Sequence, residues 1–364
     1  MLAWRCYLSN LARHAAISLM IKKYFNLFLC PSILFFFNLT CALLVFPLQV
    51  FAQTDPSIDW KVLNLPHFRL IYDAKHQELA KIYAKHLESN YPVLHHYFEQ
   101  MPESTTVVLN DRTDLTNGYA TPIPYPHIVL FPVLPGPQET ISEYGDWERE
   151  LVMHEYTHIL SFQPRRGLVK ALYYTFGSII TPNMLLPRWY LEGIAVDMET
   201  RNSDHGRLRS TYQDASLRAY VFDKNLQHME LGQINETDLA SWPYGARPYL
   251  FGSLMWSEMI ARYGESTIEE LHHLYGGRFP FFIETPMRET TGSSYQGLFN
   301  QTLQNIENRA HTQINQLEKT PLLSGTDIKI KNAIEIFSAH LSPDGLKMAV
   351  ITKEDDNKRY IRIL

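Results

Sequence analysis

The sequence predicts an α+β chain, and three observations carry the prediction. Short strand-like apolar segments occur between residues 60 and 131, strongly apolar helical patterns follow from about 145, and beyond about 320 the pattern returns to strands around a Ser-Pro-Asp-Gly turn.

Residues 1–52 contain no Asp or Glu and only four basic residues, Arg5, Arg13, Lys22 and Lys23. Lys22 and Lys23 precede an apolar run, Tyr24 to Val50, that ends in Val50-Phe51-Ala52, with small residues at the first and third places before a cut. A secretory signal peptide over 1–52 is expected, with translation starting at Met20. The run is also long enough to remain as a membrane anchor, but Pro31, Asn38, Pro47 and the cleavage-like end favour cleavage. Asn38-Leu39-Thr40 is a poor lipidation context for Cys41. All three cysteines, Cys6, Cys30 and Cys41, lie in this leader, so a chain cut after Ala52 has neither disulfides nor thiolate metal sites. Taking the leader's four cations from the 33 in the chain leaves 29 basic against 38 acidic residues, a formal charge of −9, which argues against a nucleic-acid partner. The 312 residues that remain suffice for one large or two modest domains.

Along that part, Trp60 to Tyr72 alternates apolar and polar residues around Pro66 and predicts two short strands. An apolar stripe from His76 to Phe98 predicts a helix, Thr105–Leu109 a buried strand, and Ile128–Phe131 another, after a broken stretch that starts at Asn117-Gly118-Tyr119-Ala120.

His154-Glu155-Tyr156-Thr157-His158 is an HExxH run. Leu151, Val152, Ile159 and Leu160 recur around it at helical spacing, Asp146 can cap the helix, and Pro164 marks its stop. Residues four apart share a helix face, so His154 and His158 can converge on one ion with Glu155 beside them. The apolar flanks imply burial, and buried imidazoles and carboxylates need partners or a metal to offset their desolvation. Leu168 to Pro187 reads as a loop with a helix in it. The next segment, Arg188-Trp189-Tyr190-Leu191-Glu192-Gly193-Ile194-Ala195, starts a second buried helix. A lone buried Glu192 is costly unless a cation stands beside it, and two His with one Glu leave a tetrahedral zinc one open position, the catalytic arrangement.

The pairing of His154–His158 with Pro187–Ala195 resembles the gluzincin metallopeptidases, specifically the peptidase-MA-like exported bacterial proteins related to aminopeptidase N. The likeness spans roughly residues 58–320. It implies a zincin-like domain: a twisted mixed sheet, the HExxH helix under it and a mostly helical lower lobe. It implies Zn2+ as cofactor, His154, His158 and Glu192 as metal ligands, and Glu155 as catalytic base. The 33-residue gap between His158 and Glu192 is longer than in aminopeptidase N, and the Leu168 to Pro187 insertion absorbs it. The strand before the HExxH helix, Ile128–Phe131, is where such peptidases place the sheet edge that holds an extended substrate. By the same likeness Tyr249 matches the tyrosine that steadies the oxyanion, with Phe251 where the relatives carry lysine and Tyr244 in reserve. No glycine and glutamate motif for a free amino terminus is recognisable before His154, so an endopeptidase is expected in preference to an aminopeptidase; Glu139 or Glu143 could supply such an anchor from another loop.

His95-His96 and His272-His273 read as surface pairs, since sequence neighbours do not share a helix face. Arg207, Arg209 and Arg218 read as a solvated or ion-paired face, with substrate contact as the lesser reading. A polar helix from Gln301 to Leu317 leads to a linker at 321–327. Residues 328–364 then resemble one blade of a Tol-B-like β-propeller, with Ser342-Pro343-Asp344-Gly345 as its turn. One blade cannot close a propeller, which suggests a fragment of a longer protein or a broken reading frame. The domain expectation is therefore signal peptide 1–52, peptidase domain 53–320, linker and partial blade. The functional expectation is an exported zinc peptidase, in the periplasm or at the outer face of the envelope, acting on peptide or protein substrates. The alternative is a silent zincin scaffold that binds an envelope partner through the propeller.

Overall fold

Pro66 divides two antiparallel strands, β1 (Trp60–Asn64) and β2 (Phe68–Asp73), which pair from Trp60 with Asp73 to Asn64 with Arg69. The computed structural model describes residues 57–136, 145–239, 242–278, 281–321, 324–354 and 358–364; the expected signal segment and the carboxylates of Glu139 and Glu143 lie outside them. The chain is mixed α and β. β2 pairs in parallel with β3 (Thr105–Leu109) and β3 in parallel with β5 (His127–Leu130), while β4 (Gly118–Thr121) closes the row antiparallel to β5, giving the order β1-β2-β3-β5-β4.

This order corrects one expectation. The segment around Ile128 is an interior strand with neighbours on both sides, and Ile128, Val129 and Leu130 are buried. The edge beside it is β4, with β1 at the opposite edge; β4 is the stretch that reads as broken in sequence because its residues are half-exposed and lack a buried apolar alternation.

Helix α1 (Gln77–His95) and helix α2 (Trp147–Ser161) pack on the sheet through Tyr83, Leu87, Val152 and Tyr156, and Phe68 meets the Tyr156 ring edge-on at 4.8 Å. Asp146 caps α2 by accepting from the Arg149 N–H at 3.1 Å. α2 is buried nearly all round, as a helix between a sheet and other helices must be.

Beyond α2 the chain is helical: α3 (Gly167–Phe176), α4 (Arg188–Arg201), α5 (Thr211–Phe222), α6 (Arg247–Tyr263), α7 (Ser266–Tyr275), α8 (Glu284–Thr291) and α9 (Tyr295–Leu317). Helices α4 and α6 cross backbone to backbone at Gly193 and Gly252. A Cβ on Gly252 would stand 2.1 Å from the Trp189 carbonyl oxygen, and one on Gly193 would stand 2.4 Å from the Gly252 carbonyl carbon. Trp256 locks the crossing by donating its indole N–H to the Tyr190 carbonyl at 2.8 Å.

His95 and His96 are exposed, as expected, but His272 is not. It is fully buried on α7, stacks on Trp256 and hydrogen-bonds the Ile268 carbonyl through Nδ1 at 2.7 Å. Because neighbours point to different faces of a helix, one of the pair turns inward while His273 stays half-exposed. Burial pushes the His272 imidazole down to about 4, so it is held neutral.

The stretch 324–330 has no regular structure. A separate three-stranded antiparallel sheet follows, β6 (Glu335–Leu341), β7 (Met348–Lys353) and β8 (Arg359–Ile363), in the order β6-β7-β8. Ser342 to Gly345 makes the turn between β6 and β7, with the Gly345 N–H donating to the Ser342 carbonyl at 2.9 Å and Gly345 at φ +71°.

Candidate metal centre

One turn apart on α2, the Nε2 atoms of His154 and His158 lie 3.2 Å from each other. Glu192 Oε2 comes in from α4, 3.4 Å from His154 Nε2 and 3.3 Å from His158 Nε2. A tetrahedral ion with ligand bonds of about 2.0–2.1 Å has edges of roughly 3.3–3.4 Å, so the three atoms have the spacing of three corners of such a site. The donor set, two imidazoles and one carboxylate, also suits zinc.

Burial alone would lower the His154 pKa, but the adjoining carboxylates of Glu192 and Glu199 outweigh it and raise the imidazole to about 9. For Glu192 burial opposes ionisation, yet the hydrogen bonds to His154 and His158 hold it well below the usual carboxylate range. The pocket is therefore electrostatically arranged to hold positive charge among these groups. A divalent cation fits that demand.

Glu199 and Arg207 are the parts that sequence reading missed or misplaced. Glu199 sits seven residues after Glu192, two turns along the same face of α4, and only 2% of its surface is exposed. Its Oε2 lies 3.5 Å from His154 Nδ1 and its Oε1 accepts from Arg207 Nε at 2.6 Å. Burial raises its pKa, but the charge of Arg207 and the contact with His154 prevail and keep it ionised. Arg207 is thus ion-paired, as one reading had it, but inside the site, with NH2 3.1 Å from His154 Nδ1. Arg209 donates to backbone carbonyls, including those of Ser203 and His205, and Arg218 pairs with Asp214 away from the centre. The seven-residue spacing of Glu192 and Glu199 was the available signal.

Glu155 lies beside the triangle, 4% exposed, with Oε2 unpartnered among the described residues. Burial raises its pKa against the lowering effect of His154 and His158. Gly118 makes room for it, since a Cβ there would come within 3.1 Å of Glu155 Cγ and Oε1. Edge strand β4 therefore runs past the candidate base.

Tyr249 opens onto the same cleft from the start of α6, its ring 6.2 Å from that of His154 and tilted by 20°. Its hydroxyl accepts from Arg188 NH2 at 3.3 Å, which leaves the O–H free to donate. Burial raises its pKa, so the phenol stays protonated. Tyr244, the reserve, is exposed and is not among the residues that line the cleft. The cleft holds about 620 Å³ and is lined by Thr116 to Ala120, His154, His158, Glu192, Phe162, Met184, Leu186 and Arg188 among others.

No family model matches the chain. A stretch of 217 residues is 24% identical to an uncharacterized protein of Treponema pallidum (strain Nichols), covering 58% of this chain and 18% of that protein. The chain thus spans under a fifth of that relative's length.

Proposed function

We propose that the chain is an exported zinc-dependent peptidase of the gluzincin type, with a zincin-like domain followed by a propeller-like blade. The observation that carries the reading is the triangle of His154, His158 and Glu192, of tetrahedral dimensions, with a buried and unpartnered carboxylate oxygen of Glu155 beside it. A zinc ion held there supplies Lewis acidity, which acidifies water and polarises a carbonyl. Glu155 accepts the proton of the attacking water and passes it to the leaving amine. Tyr249 donates its O–H to the developing oxyanion, and Arg188 holds the phenol in place. The extended substrate pairs with β4, the strand at the sheet edge, since Asn117 to Ala120 line the cleft next to Glu155.

An endopeptidase fits better than an aminopeptidase. Among the described lining residues the carboxylates are Glu155, Glu192 and Glu199; Glu192 and Glu199 are engaged by His154, His158 and Arg207, Glu155 is taken by its role as base, and the nearby rim carries Arg188, which would repel a free amino terminus. A silent scaffold would gain nothing from keeping Glu155 buried and unpaired beside the triad. The test is a digest of matched peptides with free and acetylated amino termini by wild type and Glu155→Gln. Wild type should cut both kinds internally, and Glu155→Gln should keep zinc and lose most of the rate. An equally active variant, or stepwise removal of single residues from free peptides only, would contradict the reading.

A further inference from the structure

The insertion between His158 and Glu192 is built inside out. Its polar groups close it on itself and hold it to the body: the Arg165 side chain donates within the segment to the Gln163 carbonyl at 2.8 Å, the Ile180 carbonyl at 3.0 Å and Thr181 Oγ1 at 2.9 Å and lies 4.1 Å over the Tyr173 ring, while the Arg165 N–H donates to Gln100 Oε1 at 3.3 Å and the Arg166 N–H to the Gly276 carbonyl at 3.0 Å. Asn183 adds hydrogen bonds to the carbonyls of Ser161 at 2.9 Å and His272 at 3.1 Å. Both ends are thereby clamped. The apolar side chains face outward: Leu168 is 74% exposed, Tyr174 77% and Ile179 74%, with Leu172, Phe176 and Leu185 exposed beside them. No residue of α3 is buried, although a surface helix ordinarily hides one apolar stripe. A patch of this kind marks an interaction surface.

Charge selects the occupant. From Tyr156 to Leu191 there is no Asp or Glu, while Arg165, Arg166, Lys170 and Arg188 are present, in a chain whose net charge is negative. Arg166, just before α3, and Lys170, in its first turn, are exposed, and among the described residues neither forms an ion pair. An apolar and aromatic plate with a cationic border complements an anionic lipid surface. The plate cannot span, since no described helix is long and apolar enough to cross a membrane and α3 has ten residues.

We propose that α3 and the segment to Leu185 form a membrane-docking plate that lies in the interface of an anionic bilayer. Its far end reaches the cleft through Met184 and Leu186, so docking presents the candidate centre to chains lying at the lipid surface. The inference does not depend on zinc or on hydrolysis.

The test is hydrogen exchange of the full chain, read over residues 167–180, with and without vesicles of phosphatidylcholine and phosphatidylglycerol at 7:3, and with phosphatidylcholine alone. The local readout separates the plate from any binding by the leader. Anionic vesicles should slow exchange there several-fold, neutral vesicles less, and added salt should reverse part of the effect. The double variant Leu168→Asp with Ile179→Asp should lose this protection while exchange elsewhere stays as in wild type. Unchanged exchange over 167–180 with vesicles present would overturn the proposal. So would protection that grows with protein concentration without lipid, which would assign the plate to a second copy of the chain.

Discussion

The Glu199 carboxylate stands at the ring nitrogen of His154 that faces away from Glu192, with Oε2 3.5 Å from Nδ1. Two groups meet this nitrogen: Glu199, which can accept from an Nδ1–H, and Arg207 NH2 at 3.1 Å, which can only donate and also donates to Glu199 Oε2 at 3.4 Å; with the proton on Nδ1 directed at Glu199, the Nε2 lone pair faces His158 and Glu192, where a metal is expected. Arg207, bonded to Glu199 through Nε at 2.6 Å, balances the buried charge.

Glu199→Ala should therefore weaken zinc binding by about 10–100-fold, although Glu199 is not a ligand. Competition against a chelator reads the change. An affinity equal to wild type would mean that the carboxylate serves packing or charge balance only.

The Gly193 and Gly252 crossing should be intolerant of any side chain. Gly252→Ala places a methyl group against the Trp189 carbonyl, so it should cost about 1–3 kcal/mol or more and lower the melting temperature. Since α4 carries Glu192 and α6 carries Tyr249, zinc affinity should fall with it. Gly232→Ala, where an added Cβ meets nothing within 4 Å, is the control and should stay within about 0.5 kcal/mol of wild type. A Gly252→Ala protein as stable as that control would show that the helices can separate without cost.

Glu150 gives a pH dependence. It is 2% exposed, and burial, only partly offset by a hydrogen bond with Ser203, lifts its carboxyl to about 7. The folded state thus holds a proton that the unfolded chain releases at its ordinary lower value. The stability this contributes is present below the unfolded value of 4.5 and is lost as pH rises through about 7. The loss is of order 3 kcal/mol at most. Glu150→Gln should flatten the decline between pH 5 and 8 in melting curves, and a variant with the wild-type slope would place the titration elsewhere.

Much of this arrangement was legible in the sequence because the signals were local. The HExxH spacing, the Asp146 cap, the Thr105–Leu109 strand and the start of α4 at Arg188 each depend on a few adjacent residues, and each appears in the structure. The errors arose where strand order or tertiary packing decides. Whether β5 or β4 holds the sheet edge is a question of strand order, which residue patterns do not encode. His272 goes inward because Trp256, Tyr190 and Phe98 surround it, and those partners come from three other parts of the chain. Glu199 was hidden for a related reason: a buried carboxylate looks like a surface one until Arg207, eight residues on, folds back against it.

Metal analysis of the purified full chain tests the central claim most directly. The account predicts one zinc per chain by elemental mass spectrometry in wild type and in Glu155→Gln. It predicts strongly reduced zinc in Glu192→Gln, with the fold kept as judged by circular dichroism. A folded wild-type protein that carries no zinc and takes up none when the ion is supplied would contradict it.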